Sequence, residues 1–168
     1  MNRENILKLA LVLEDLTDDR FDINHWVSEN YGFSESDVLS ISDCGTAGCI
    51  AGWALAVKHN GIVELYDEDH FEFIEDRLHD YSYSPVDVPY FAAEWLGLPK
   101  SFADKIFFPD AFSLWHRYKD DYQLESWNQS EYYNNIHPKH AADILHRILN
   151  GEFDDEITDD LEMRPGEL

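Results

Sequence analysis

The sequence predicts a mainly α-helical protein that folds as one compact multi-helix domain with a strongly acidic surface. Its length of 168 residues is typical of a single hydrophobic core. Hydrophobic residues make up 44% of the chain, and in several segments they recur at steps of three and four, the period of an amphipathic helix. We therefore expect a helical domain over residues 1–151, followed by a mobile acidic tail over residues 152–168.

The first half of the chain begins with a clear helical pattern. Residues 2–16 place Ile6, Leu9 and Leu13 on one side, and Asn2 suits the N-cap position. Between positions 18 and 43 the pattern loosens, and apolar residues stand among Asp, Asn, Ser and Gly, which predicts a packed loop.

A buried helix is expected next, over residues 46–59. Thr46 can cap its start, and Asn60-Gly61 supplies a left-handed stop. Its small residues would let another backbone approach closely, so we place this helix at the centre of the fold.

The segment from Glu64 to Asp80 also shows a helical pattern. Phe71, Ile74 and Leu78 would face inward, and the acids between them would form an outer arc. Like charges at this spacing weaken a helix, and residues 62–66 alternatively fit a short strand.

The second half of the chain predicts four further elements. Residues 90–108 predict two short helices, joined by a turn at residues 96–99 with Ser101 as the second cap. Aromatic residues between Phe112 and Tyr122 recur at helical spacing. A last helix is expected to start at Pro138 and to end at Gly151.

The charge balance bears directly on function. Acidic residues outnumber basic ones by 35 to 12, which gives a formal net charge of −23. Binding to bare nucleic acid depends on Lys and Arg replacing counterions along the phosphates, so neither direct nucleic-acid binding nor binding to anionic membranes is expected. No segment reaches the roughly 20 apolar residues that span a bilayer, and acids appear too early for a signal peptide, so we predict a cytoplasmic protein.

One run, Cys44-Gly-Thr-Ala-Gly-Cys-Ile-Ala-Gly-Trp53, resembles the signature of a group of small bacterial and phage proteins of uncharacterised function. In that group the signature is followed by an Ala-rich "LGL" segment, a short "LF" segment and a closing helix. Similar pieces stand here at residues 92–98, 106–108 and 141–151. The resemblance implies a shared helical fold and a bacterial or phage origin, and it carries no catalytic residue.

The two cysteines suggest an alternative function. Cys44 near a helix start could ionise and pair with Cys49, as in a thiol enzyme or redox switch. With His25, His59, His137 or His140, the same cysteines could instead bind zinc. The surrounding Gly, Ala and Ile residues favour inert, packed thiols, and the spacing does not favour zinc, so the sequence predicts no catalytic residue, no metal site and no cofactor. A third hypothesis is that the protein is a helical housekeeping domain of unknown role.

The leading hypothesis is a non-enzymatic inhibitor that mimics nucleic acid and docks on a basic surface of a host nucleic-acid-binding complex. Rows of acids would imitate the duplex charge, and aromatic residues would anchor the interface. The predicted partner-binding acids are Glu64, Asp67, Glu68, Asp69, Glu72, Glu75, Asp76, Asp80, Asp120, Asp121, Asp154, Asp155 and Glu156. The predicted aromatic anchors are Trp115, Tyr118, Tyr122 and Trp127.

Overall fold

The computed structural model describes residues 1–21, 28–29, 39–40, 46–47, 49–59, 62–67, 70–75, 79–83, 88–108, 113–122, 124 and 135–162. Helices form most of the secondary structure in these ranges, which confirms the mainly helical fold. The helices are α1 (Arg3–Asp15), η1, a 3-10 helix (Asp18–Arg20), α2 (Ile50–Lys58), α3 (Val88–Leu96), α4 (Lys100–Phe107), α5 (Leu114–Arg117), α6 (Pro138–Leu149) and α7 (Asp154–Glu162).

Helix α1 forms as its sequence predicts. The side chain of Asn2 caps it by accepting a hydrogen bond from the Asn5 amide at 3.3 Å. Ile6, Leu9 and Leu13 are buried, and α1 packs most extensively along α6. This pair brings the two ends of the described chain together around one core.

Helix α2 is buried over its first seven residues, so its central place in the core is confirmed. It begins at Ile50 rather than at Thr46. Thr46–Ala47 is instead a short strand, β3, which pairs antiparallel with β1 (Ser28–Glu29). The extended backbone of Cys49 then makes the N-cap, so the cap assigned to Thr46 is wrong. The physical reason is that the backbone of Thr46 is used in strand pairing.

The helix predicted over residues 64–80 is wrong, because this segment forms an antiparallel sheet. Strands β4 (Ile62–Asp67), β5 (His70–Glu75) and β6 (His79–Tyr83) follow one another, and β2 (Leu39–Ser40) extends the sheet in the order β2-β4-β5-β6. The alternative strand near residues 62–66 is confirmed. Apolar and aromatic residues alternate here with polar ones at steps of two, and the acids at helical spacing would repel one another in a helix.

Helices α3 and α4 confirm the predicted pair of short helices. Gly97 joins them in the left-handed region, with φ of +62°. The amide of Asn2 donates a hydrogen bond to the Leu96 carbonyl at 2.8 Å, so α1 starts against this turn. Pro99 rather than Ser101 occupies the N-cap of α4, and no side chain caps it.

Helix α5 is only four residues long and is followed by turns through Tyr122, so the expected helix between Phe112 and Tyr122 is confirmed only at its centre. Phe112 lies outside the described residues. Helix α6 starts at Pro138 as expected. Gly151, with φ of +81°, follows its C-terminal end.

The acidic segment after Gly151 is a helix over much of its length. Phe153 and Ile157 are buried in the core, and α7 begins at Asp154. The prediction of a mobile tail from residue 152 is therefore wrong as far as Glu162, because these two apolar side chains tie the acids to the core. Residues 163–168 lie outside the described part of the chain. Among the helices described, none has the length and apolar character needed to cross a bilayer.

Candidate acidic interface

The acids of α7 divide into two sets around the helix. Asp154, Asp155 and Asp159 are exposed, whereas Ile157 is buried in the core. At 3.6 residues per turn, the three exposed acids and Thr158 fall on one arc that faces away from the core. We call Asp154, Asp155 and Asp159 the outer acids.

Glu156 and Asp160 form the other set, and they bind bases within the fold. Arg117 donates to both carboxylate oxygens of Glu156, at 2.6 and 3.2 Å. Lys105 lies 3.3 Å from an oxygen of Asp160 and 3.7 Å from one of Glu156. The hydrogen bonds from Arg117 lower the pKa of Glu156. Glu156 was predicted to bind a partner, but the structure uses it to hold α7 against α4 and α5.

Arg147 on α6 brings a second group of acids together. Its Nε donates to Asp143 at 2.7 Å, its Nη1 donates to Glu152 at 3.3 Å, and its Nη2 lies 3.7 Å from Asp121. The hydrogen bond to Asp143 is the main cause that raises the pKa of Arg147. Because Asp121 and Glu152 share this guanidinium, the turn after α5 lies beside the start of α7. Two acidic groups that are separate in sequence therefore form one surface.

Most of the predicted aromatic anchors are buried or hydrogen-bonded within the protein. Trp115 is fully buried and donates its indole N–H to the Ile106 carbonyl at 2.8 Å, so its assignment as an exposed anchor is wrong. The helical spacing of Trp115 in the sequence fits a core stripe and an interface equally well.

The two tyrosines of this set are partly buried and are hydrogen-bonded to acids. Tyr118 donates to Glu152, and the guanidinium of Arg147 lies 4.4 Å from the centre of its ring. Tyr122 donates to Asp143 at 2.6 Å and stacks on His140. Burial and the hydrogen bond to Asp143 raise the pKa of Tyr122. Their hydroxyls therefore brace the surface around Arg147. Trp127 lies outside the described residues.

The remaining predicted acids belong to the sheet region. Glu64 and Asp67 lie in β4, Glu72 and Glu75 in β5, and Asp80 in β6. Strand register pairs Glu64 directly with Glu72. The predicted sites at Glu68, Asp69 and Asp76 fall outside the described residues.

The cysteine alternative centres on the start of α2. Cys49 is fully buried there, whereas an attacking thiol needs access to its substrate. Cys44 lies outside the described residues. Within the described ranges, no group of three or more His, Cys, Asp or Glu side chains is placed to hold a metal ion.

Reasoning from sequence missed the three basic residues that form ion pairs with some of these acids. Carboxylates that pair with Arg117, Lys105 or Arg147 stabilise the fold, and the other exposed carboxylates remain on the surface. The spacing of Asp143 and Arg147, four residues apart on a helix, was an available signal for one of these pairs. The other contacts join α7 to α4 and α5, and only the tertiary structure reveals them.

Comparisons with protein-family models, curated proteins and solved structures gave no match for this chain. The likeness of the Cys44–Trp53 run to a bacterial and phage group therefore stays a prediction. Function is inferred from the distribution of charge on the molecule itself.

Proposed function

We propose that this protein is a non-enzymatic acidic inhibitor that docks on the basic surface of a nucleic-acid-binding protein and occupies the place of nucleic acid. One observation carries the proposal: the outer acids lie together on an exposed arc, and no Lys or Arg among the described residues pairs with them. Fold-stabilising acids are paired with bases, as Glu156 and Asp143 are. The outer acids contribute no such contact and are available to a cationic partner.

The outer acids have a spacing that suits mimicry of a phosphate backbone. Asp155 and Asp159 stand four residues apart, so they are separated by about 6 Å along the helix axis. A strand of duplex DNA carries a charge about every 3.4 Å along its axis, so this step matches roughly two phosphates. Asp121 and Glu152 are both held by Arg147, so the outer acids carry the proposed docking surface.

The overall charge supports the same proposal. A net charge of −23 imposes repulsion on the whole molecule, and a cationic partner would relieve it.

The setting that we propose is the cytoplasm of a bacterial host, where a phage or a mobile element would use such an inhibitor against a host complex. The resemblance of residues 44–53 to a bacterial and phage group supports this setting. Basic nucleases and other proteins with a channel for nucleic acid are the partner class that fits the charge.

Affinity capture tests the proposal directly. The protein is immobilised and exposed to bacterial lysate at low and at high salt, and bound proteins are then challenged with duplex DNA. We expect basic, nucleic-acid-binding proteins to bind at low salt, because their attraction to the acidic surface is screened at high salt. Duplex DNA should release them, because it competes for the same basic channel.

The control bait is the triple variant Asp154→Asn, Asp155→Asn and Asp159→Asn, which keeps the fold-stabilising ion pairs and removes the outer acids. We expect it to retain less of the same proteins. Two results would reject the proposal: binding that resists both high salt and duplex DNA, or equal retention by the wild-type and variant baits.

A further inference from the structure

Arg20 in η1 carries an unused pair of hydrogen-bond donors. Its Nε and Nη2 atoms are buried, and neither donates a hydrogen bond to an acceptor among the described residues. These two nitrogens share one edge of the guanidinium, the edge that binds a carboxylate or phosphate through two parallel hydrogen bonds. Buried donors without partners are rare in proteins, and charged ones are the most costly.

The other described arginines are all paired. Arg3 donates to the Leu149 carbonyl, Arg117 to Glu156 and Arg147 to Asp143. The chain has 35 acidic residues, so the charge balance does not predict an arginine whose Nε and Nη2 donors lack a carboxylate partner within the described part of the chain.

Trp53 contacts Arg20 at its backbone carbonyl and at its guanidinium. The indole N–H donates to the Arg20 carbonyl at 3.1 Å, and the guanidinium carbon lies 5.2 Å from the centre of the indole ring. The guanidinium therefore lies over the indole ring, and its Nε and Nη2 donors remain without a hydrogen-bond partner among the described residues. Trp53 is the last residue of the Cys44–Trp53 run, so this contact gives that residue a physical role.

The location adds a second positive contribution. Trp53 is the fourth residue of α2, so Arg20 lies by the first turn of that helix. The N-terminal end of a helix is electropositive, and the N-cap residue Cys49 provides no side-chain cap there. This end of the helix and the guanidinium would both favour an anion bound near them.

We propose that Arg20, held by Trp53, binds an oxyanion that presents two coplanar oxygens, either a carboxylate or a phosphate group. The net charge of the molecule opposes multiply charged anions, so a group with a single negative charge fits best. Because Nε and Nη2 are buried, binding requires an outward movement of η1, a three-residue helix. The site is separate from the acidic surface and does not depend on the inhibitor function.

The test follows the Nε–H signals of the six arginines of the full chain by NMR. Sodium acetate, sodium phosphate and sodium chloride are titrated in parallel at equal ionic strength. We expect the Arg20 signal to shift saturably with acetate, with phosphate or with both, and not with chloride; the more effective anion identifies the source of the oxyanion.

Arg20→Lys keeps the charge and loses the two-donor edge, so it should weaken binding by about tenfold or more, as followed by the indole N–H signal of Trp53. Arg3→Lys is the matched control and should leave binding unchanged. Two results overturn the proposal. One is the absence of a saturable shift with either oxyanion. The other is an Arg20 Nε–H signal that changes position, with no anion added, when a carboxylate elsewhere in this chain is replaced by its amide. That carboxylate would then be the partner of Arg20.

Discussion

Gly97 shows how much of this fold depends on single residues. Its φ of +62° disfavours any other residue, and an added Cβ would lie 2.7 Å from the backbone nitrogen of Asn2. We expect Gly97→Ala to lower the free energy of unfolding by about 2–4 kcal/mol, measured by urea denaturation, because strain and a backbone clash add together.

Gly151 supplies the control for that substitution. Its φ of +81° brings similar strain, but its added Cβ would meet the end of the Asp154 side chain, which can move away. Gly151→Ala should therefore cost about 1–2 kcal/mol. Equal losses in the two variants would show that the approach of Asn2 to Gly97 contributes nothing.

His140 gives a prediction about pH. Burial and the nearby charge of His137 lower its pKa, against the opposing influence of Asp143 and Asp18. The unfolded chain therefore takes up a proton at a higher pH than the folded protein does. Stability attributable to His140 should fall as pH decreases from about 7 to about 5.

In the wild type, the His137 amide donates a hydrogen bond to His140 Nδ1 at 3.2 Å. His140→Gln removes the titrating group and keeps a side-chain acceptor for this hydrogen bond. We expect thermal unfolding of the variant to depend less on pH across that interval than wild type does. His116→Gln, on the exposed surface of α5, is the control and should behave as wild type. The same pH dependence in the His140 variant would reject this role.

Several single-residue assignments could be made from sequence alone, and others could not. Asn2 and Pro138 were predictable because a helix start imposes local chemistry on its first residues. Trp115 was not, because an aromatic residue at helical spacing fits a core and an interface equally well. Arg20 was also missed, since an unpaired guanidinium is defined only by what surrounds it in space.

At the scale of elements, α7 converts part of an acidic run into a packed helix. Glu156→Gln removes the carboxylate that Arg117 and Lys105 share, and we expect it to lower the free energy of unfolding by about 1 kcal/mol at neutral pH. Because the folded-state pKa of Glu156 is lowered, this contribution is present above about pH 4.5 and is lost as pH falls through the folded-state value.

Asp155→Asn is the matched control for Glu156→Gln. Both residues lie in the first turn of α7, so the helix dipole acts on both, but Asp155 is exposed and has no described base beside it. The control should cost no more than a few tenths of a kcal/mol in chemical denaturation. A larger loss for Asp155→Asn than for Glu156→Gln would contradict the assignment of Glu156 to the fold.

The sheet marks the limit of element prediction from this sequence. Residues 62–83 carry apolar positions that fit both a period of two and a period close to 3.6. Alternation within each strand, as at Phe71 and Phe73, is the period of a β-strand. No short turn signal separates β4 from β5 in the sequence, so the helical spacing continues through both segments. Tertiary pairing over the register from Val63 to Phe73 decides the outcome.

For the whole molecule, self-repulsion is the dominant electrostatic effect. At 0.1 M, sodium chloride largely screens interactions between exposed charges that lie more than about 10 Å apart, so we expect the melting temperature at pH 7 to rise with salt by on the order of a few degrees. Ion pairs such as Arg117–Glu156 weaken in salt, but 35 acids against 12 bases make repulsion the larger contribution. Near the sequence pI of about 4.3 the rise should disappear. A melting temperature that falls with salt at pH 7 would contradict this account.

The rate of association with a captured basic partner tests the central claim most directly. At low salt, neutralising the outer acids through Asp154→Asn, Asp155→Asn and Asp159→Asn should slow association by about three- to tenfold, because these charges steer the encounter. The control replaces three exposed acids on α1 and α3, through Glu4→Gln, Asp15→Asn and Glu94→Gln, and it should retain a rate close to that of wild type. Equal rates for the two triple variants would show that docking does not use the α7 surface.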